Sequence, residues 1–406
     1  MKRNTVVSLY ALFALAYVGI SLLKGYTIND YSAYSWSEIF INYEAGFIRR
    51  GLLGQFLYAT AQYMDARITA SLLYTVALFA FLYFSHKYLR ESFDDICLYF
   101  VFLSPALYLF FLKEYQIFAM KDMYILLSVF YMFFLAKTSI GRQNLTVYGL
   151  TGIFLCIYAV AFLIHEMAIF YFPLPFLVLG IAYYHMGRLK VWFLLGFAVE
   201  LLSLYVASRY AGTTEQAQAI YSAWNTLYPE FKKEDAGAIL YIGRDFTVWL
   251  QEVARHLSSG VTVASIVITC VMAALPVALI AVCYKSCSAT LQNMPSTLLR
   301  WLIIPALLAP FIPLSFAQDF GRFIAHGFLS VIFFLGAMQR LSPQKTPTRI
   351  RTIQHRIKTS ATARVAVLLF TLAYSFGWAV INCPFPGGSI IREPYLFILL
   401  QKHVLQ

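Results

Sequence analysis

The sequence predicts an all-α fold: a polytopic integral membrane protein with about eleven transmembrane helices, an inside N-terminus and one large outer loop. Three observations carry this. Hydrophobic residues fill 60% of the 406 positions and charged residues 12%, whereas a soluble domain carries roughly 25% charged residues. Mean hydropathy is +0.68, and apolar runs of spanning length recur from one end to the other. Lysine and arginine gather in alternate short connections between those runs. A soluble enzyme is excluded, and residues 1–406 read as one membrane domain.

A spanning helix needs about 20 mostly apolar residues. That rule places spans near 5–23, 69–86, 96–112, 123–137, 147–164, 167–185, 191–208, 260–283, 301–317, 325–339 and 365–382. The first run, "TVVSLYALFALAYVGISLL" after "MKRN", lacks a small-residue cleavage pattern and precedes many further spans. It reads as a retained helix and not as a secretory signal.

With the N-terminus inside, the inner side receives Lys2, Arg3, Lys87, Arg90, Lys137, Arg142, Arg188, Lys190, Lys285 and Arg300. It also receives the basic loop 340–364, which suits an anionic cytoplasmic leaflet. Topology thus accounts for the net charge of +12 without nucleic acid as a partner. An odd count of spans leaves the C-terminus outside. The cysteines, Cys97, Cys156, Cys270, Cys283, Cys287 and Cys383, show no metal-ligand spacing and read as packing residues. No metal and no cofactor are expected.

Against this bias, Arg49, Arg50, Lys113, Lys121 and Arg322 fall on the outer side. Arg49 and Arg50 lie in "NYEAGFIRRGLLG" within the first outer segment, 24–68, which also holds Asp30, Trp36, Glu38 and Glu44. After Gly46, Ile48, Leu52, Phe56 and Ala59 form one helical stripe, as in an interfacial or re-entrant helix. Its start would combine arginines with free backbone N–H groups, a pairing suited to phosphate. The plainer account is two arginines snorkelling to lipid headgroups.

Three more outer segments carry polar chemistry. In "IHEM", His165 and Glu166 close the fifth span, where an imidazole and a carboxylate are costly unless paired or used. Either is a candidate general base; a hydrogen-bonded structural pair explains them equally well. In "QDFGRFIAHGF", Asp319, Arg322 and His326 share one helix face, with Asp319 expected to hold Arg322. The large outer loop, 209–259, contains "AIYSAWNTLYPEF" and "YIGRDFTVWLQEVARH", two amphipathic helices. Its Trp224, Tyr228, Arg244 and Trp249 are candidates for stacking on sugar rings, or for resting at the lipid interface. Glu200, near the middle of the seventh span, is an intramembrane carboxylate without a basic residue at matching depth.

No P-loop, dinucleotide fingerprint, HExxH, GxSxG or internal repeat occurs. Charge beyond the needs of topology lies on one side, which favours an enzyme at the outer boundary over a transporter. A substrate reachable there without nucleotide is lipid-linked.

"GFIRRGLLG" with a downstream "HE" and "DFGRF", together with the span count and the outer loop, resembles bacterial O-antigen and capsule polymerases of the Wzy type. More loosely it resembles the GT-C glycosyltransferases. The resemblance covers the whole chain in architecture and rests on short motifs. It implies a glycosyltransferase of the bacterial inner membrane that moves glycan units from an undecaprenyl-pyrophosphate carrier, with no nucleotide. Membrane lipids and a chain-length regulator protein are the further partners it implies. Within it, Arg49, Arg50 and Arg322 bind the pyrophosphate, and Glu166, with His165 or His326, is the base. Two departures stand out: only one large outer loop is evident, and the acidic pair of GT-C first loops is represented only by Glu38 and Glu44. The alternatives are a lipid-linked oligosaccharide flippase and a membrane acyltransferase acting on surface polysaccharide.

Overall fold

A computed structural model describes residues 33–113, 120–244, 246–258, 260–284, 295–315 and 320–341, with isolated positions between 352 and 365. The spans expected at 5–23 and 365–382, and nearly all of the basic loop, lie outside the described residues. Every regular element among those described is helical. Seven helices are long and apolar enough to cross a membrane: Ala66–Arg90, Asp122–Ser139, Asn144–Ile164, Leu189–Arg209, Thr262–Val282, Thr297–Ser315 and Phe320–Gln339. The chain is a multi-pass membrane protein.

Two expected spans are broken. Residues 96–112 form Asp95–Phe102 and Tyr108–Lys113 instead of one helix. Pro105 disfavours helical backbone at Ser104, and turn bonds from Ser104 N to Val101 O and from Leu107 N to Ser104 O fill the gap. Residues 167–185 split into Ala168–Tyr171 and Pro173–His185, since Pro173 and Pro175 remove two N–H donors at the join.

The Phe320–Gln339 segment, from the shorter end of the expected spans, proves to be the axis of the bundle. Inside the fold 89% of its apolar window is buried, against 22% for Leu189–Arg209. The former is therefore enclosed by other helices, whereas the latter turns most of its surface towards lipid. Ile324, Leu329, Ile332 and Phe333 belong to the core, and the Phe333 ring packs against Phe81, Tyr88 and Phe130.

Charges sort to the two ends of the bundle. At one end Lys137 Nζ donates to Glu91 Oε2 at 3.3 Å, and Ser92 Oγ donates to Gly336 O at 2.9 Å. At the other end residues 36–60, 121–122, 165–166, 207–242 and 320–326 meet. The loop 209–242 grips the first segment there. Trp224 Nε1 donates to Phe40 O at 2.6 Å, and their rings stack at 4.2 Å. Ala238 N donates to Ser37 Oγ at 2.8 Å, Gln216 Nε2 to Ala45 O at 3.0 Å, and Arg49 N to Tyr210 O at 2.9 Å.

"GFIRRGLLG" now has a local account. Its helix is Leu52–Thr60, and the buried face is Leu53, Gly54 and Leu57. The expected stripe is off by one position: Phe56 is exposed. The helix is tilted so that glycine, and not a large side chain, meets the preceding strand of backbone. A Cβ on Gly54 would lie 2.0 Å from Ile41 O, and one on Gly51 2.2 Å from the Tyr43 ring.

Gly54→Ala is therefore expected to lower the thermal midpoint of the detergent-solubilised protein, by about 1–3 kcal/mol of overpacking. Gly149→Ala, where nothing lies within 4 Å of the added Cβ, should leave it unchanged or raised. Equal midpoints for the two variants would disprove the close packing of Leu52–Thr60 on Ile41.

Candidate active site

The five segments that meet at the charged end bring ionisable side chains into one continuous cluster. At the mouth, Arg50 Nη2 donates to Glu166 Oε1, and Arg49 Nε lies 3.7 Å from the same oxygen. Glu166 Oε2 lies 3.3 Å from His165 Nδ1. His165 Nε2 is 3.2 Å from Glu38 Oε1. Glu38 Oε2 is 3.5 Å from Arg322, which also donates to Asp122 Oδ2 at 2.9 Å. The chain ends deep in the bundle, where His326 Nε2 lies 3.4 Å from Asp122 Oδ1 between the rings of Tyr171 and Phe111.

Local structure explains each placement. His165 is the residue at which helix Asn144–Ile164 ends, in extended backbone, so its side chain turns across the helix end. Its Nδ1 accepts from Met167 N at 3.2 Å, which leaves Nε2 to donate to Glu38. Asp122 opens helix Asp122–Ser139, where a carboxylate also suits the helix dipole. Arg322 and His326 are one turn apart on the axial helix, and both reach Asp122. Arg50 has φ +63°, the only positive φ at a non-glycine residue among those described. Such backbone costs about 1–3 kcal/mol and persists only where its surroundings fix it. Here Lys121, itself wholly buried, donates its ammonium to the Arg50 carbonyl.

Burial sets the electrostatics. It would raise the Glu38 carboxyl, but Arg322 and His165 outweigh it and hold Glu38 well below the usual carboxylate range. Glu166 is likewise buried, and Arg50 and Arg49 hold it low. Burial pushes Lys121 down to about 7, with Glu38 opposing. Four cations, Arg49, Arg50, Lys121 and Arg322, thus face three carboxylates, Glu38, Asp122 and Glu166. Side-chain exposure is 30% for Arg49 and 23% for Arg50, against 5% for Arg322. Only the adjacent arginines reach the surface.

The cluster joins Arg49, Arg50, His165, Glu166, Arg322 and His326 from the sequence reading. Three assignments change. Arg322 is sealed between Asp122 and Glu38 and braces the site from within. The partner expected for it, Asp319, lies outside the described residues. His326 is buried on the far side of Asp122, out of reach of a ligand at the mouth. Trp224 is fully buried against Phe40, Tyr58 and Tyr228, so it is a core residue and not a sugar platform. Tyr228 belongs to the same stack, and its hydroxyl accepts from Ala66 N at 2.9 Å. Arg244 is exposed and lies 3.8 Å over the Tyr241 ring. Trp249 falls on helix Phe246–Leu257, and its side chain is outside the described residues.

Glu38, Lys121 and Asp122 join the site: Lys121 stands out in the sequence only as an outer-side exception, Glu38 only as one of a possible acidic pair, and Asp122 not at all. The signal for Lys121 and Asp122 was present: charges at the start of an apolar run, the same kind that marked His165 and Glu166. Among the described residues no cluster of three or more His, Cys, Asp or Glu side chains could hold a metal ion. No family model, curated protein or solved structure matches the chain.

The brace yields a test. Arg322→Met leaves Asp122 and Glu38 buried without their guanidinium, a change that costs about 3–5 kcal/mol when one partner of a buried pair is removed. Loss of the folded, monodisperse protein in detergent is expected, with partial recovery when Asp122→Asn is added. An Arg322→Met protein as heat-stable as the parent would show that the ion pair does not hold these segments together.

Proposed function

We propose that this protein is a glycan polymerase of the bacterial inner membrane, transferring glycan units from a polyprenyl-pyrophosphate carrier to a lipid-linked acceptor at the outer face. One observation supports the reading above all: two adjacent arginines stand part-exposed at the rim of an otherwise buried ionic cluster. Guanidinium groups grip phosphate bidentately, and Arg49 and Arg50 share a single carboxylate, Glu166, between them. Eleven spans, an inside N-terminus and an outside C-terminus belong to the same reading. It places this cluster outside and Lys87, Arg90, Lys137 and Arg142 inside.

In this mechanism Arg49 and Arg50 bind the donor's pyrophosphate. The acceptor hydroxyl loses its proton to Glu166, oriented by His165, and its oxygen bonds to the anomeric carbon. The bond from that carbon to the phosphate oxygen breaks, and the electron pair leaves on the pyrophosphate, where the arginines stabilise it. Membrane lipids surround the site, and a chain-length regulator is the protein partner such a polymerase takes. A flippase would want charge along a central cavity. Glu200 is the one Asp or Glu set away from the ends of the seven spans, too little to line such a cavity.

With purified protein and a polyprenyl-pyrophosphate oligosaccharide, Arg49→Ala and Arg50→Gly should each cut polymer formation by about 10²–10³, the usual cost of one transition-state donor. Glycine is chosen at 50 because it adopts positive φ without strain. Arginine-to-lysine changes should restore only part of the rate. Wild-type ladders from both variants would count decisively against the reading.

The topology has its own check. Cysteines placed in 209–242 should react with an impermeant reagent from the periplasmic side, and cysteines in 340–364 should be protected. The reverse pattern overturns the outer placement of the cluster.

A further inference from the structure

We propose that Phe47 and Tyr210 form the sugar subsite of this protein, an aromatic corner that receives the first sugar ring of the lipid-linked glycan beside its pyrophosphate. The inference rests on the reading above that Arg49 and Arg50 receive that pyrophosphate, and it adds which residues hold the sugar.

Continuity with the arginines carries it. Arg49 N donates to Tyr210 O at 2.9 Å, and Arg49 Nη1 donates to Ala207 O at 3.4 Å, one turn earlier at the end of helix Leu189–Arg209. Phe47 precedes Arg49 by two residues, and its ring meets the Tyr210 ring at 4.9 Å and 88°. Both rings are open to a ligand, with 43% of Phe47 and 39% of Tyr210 exposed. The first sugar of a lipid-linked glycan is bonded to a phosphate oxygen, so its ring lies next to whatever grips that phosphate. Beside Arg49, that neighbour is the aromatic corner.

The corner is held in place before any ligand arrives. Gly46, at φ +94°, turns the chain, and its N–H donates to Tyr43 O at 2.9 Å. The turn brings Phe47 back to stack on the Tyr43 ring at 5.3 Å. Ile48, the next residue, is buried and pins the backbone on the other side. An exposed ring fixed in this way loses little freedom on binding.

The groups around the rings suit a sugar better than a hydrocarbon tail. The π face of an aromatic ring is negative and meets the weakly positive C–H face of a sugar ring. Glu44, in the same turn, is exposed and accepts from Gln55 Nε2 at 3.2 Å, with carboxylate lone pairs left for hydroxyls. The Tyr210 phenol both donates and accepts. A hydrocarbon chain laid here would strip water from Arg49 and Glu44 and return no hydrogen bond. The role expected of Trp224, which is buried in the scaffold, falls to two residues at the mouth.

The test measures binding of three probes to the full-length protein in detergent: inorganic pyrophosphate, farnesyl pyrophosphate, and farnesyl pyrophosphate carrying one glucose on its terminal phosphate. Phe47→Leu and Tyr210→Leu keep apolar bulk and remove the flat face. Each should bind the first two probes as the wild type does, which also shows that it is folded. Each should bind the glucosylated probe about tenfold more weakly, a loss of roughly 1.4 kcal/mol. Phe47→Tyr, which keeps the flat face, should bind it as the wild type does. Equal weakening on farnesyl pyrophosphate would assign the rings to the lipid and overturn the sugar subsite. Wild-type affinity of both leucine variants for the glucosylated probe would overturn it too. Both results leave the anion site standing, provided that Arg49→Ala with Arg50→Gly abolishes pyrophosphate binding. No saturable binding of inorganic pyrophosphate by the wild type would overturn the anion site and, with it, the corner placed beside it.

Discussion

Arg322 is the constraint on which the charged end depends. It is the cation that Asp122 and Glu38 share, and through them it ties the axial helix to Asp122–Ser139 and to the first segment. An unpaired charge at such depth would cost several kcal/mol, so the three elements are locked in one register or not at all. Glu38 then fixes His165 at 3.2 Å, and His165 in turn meets Glu166. The arginines at the mouth are thus positioned by a chain of contacts whose anchor is out of reach of any ligand. Rigid interior pairs and accessible terminal ones are different instruments, and this cluster contains both.

The second constraint is aromatic. Residues 36–50 have only one short helix, Ala33–Ile39, with which to hold themselves. Trp224, Phe40, Phe231 and Tyr58 supply the packing it lacks, and four hydrogen bonds with residues 210–238 fasten it, three through its backbone and one through the Ser37 hydroxyl. The Arg49 N–H bond to Tyr210 O falls beside the strained Arg50. The large loop, rich in Tyr and Trp, is therefore chiefly the other half of the site's scaffold. The tryptophan at its centre is spent on packing.

How much of this was legible in the sequence divides along the range of the interaction. The apolar runs gave the helical class, because one helix satisfies its own backbone bonds and needs only local composition. Arg49, Arg50, His165, Glu166, Arg322 and His326 stood out because a charge at a membrane boundary is conspicuous in any apolar chain. What stayed hidden was pairing. Arg322 finds Asp122 across 200 positions and Glu38 across 284, and no local spacing encodes that. Asp319, three residues before Arg322, is the partner that helical periodicity offers, and it lies outside the described residues. Trp224 misled for a related reason: an amphipathic aromatic helix reads the same whether its face meets sugar, lipid or protein. The one-residue error in the stripe after Gly46 came from expecting large side chains to define the buried face, when Gly54 defines it by close approach to Ile41.

Placing the cluster at the boundary, and not deeper, has a physical consequence for any anion it binds. In bulk water two guanidinium–phosphate contacts compete with screening and hydration, and each is worth little. At full membrane depth the same arginines would cost too much to keep charged without permanent partners. The rim of the bundle lies between these limits: the buried Glu166 carboxylate holds Arg49 and Arg50 in place, while part of their surface stays exposed. The interaction with that ligand is then made in a medium of lowered dielectric, where a charge contact is several times stronger than in water. A carboxylate that holds the cations in place when the site is empty is also the group an incoming anion must displace. Stability of the empty site and affinity for the ligand are consequently opposed through one residue, Glu166. The balance between them is set by how far burial, at that depth, disfavours its charge.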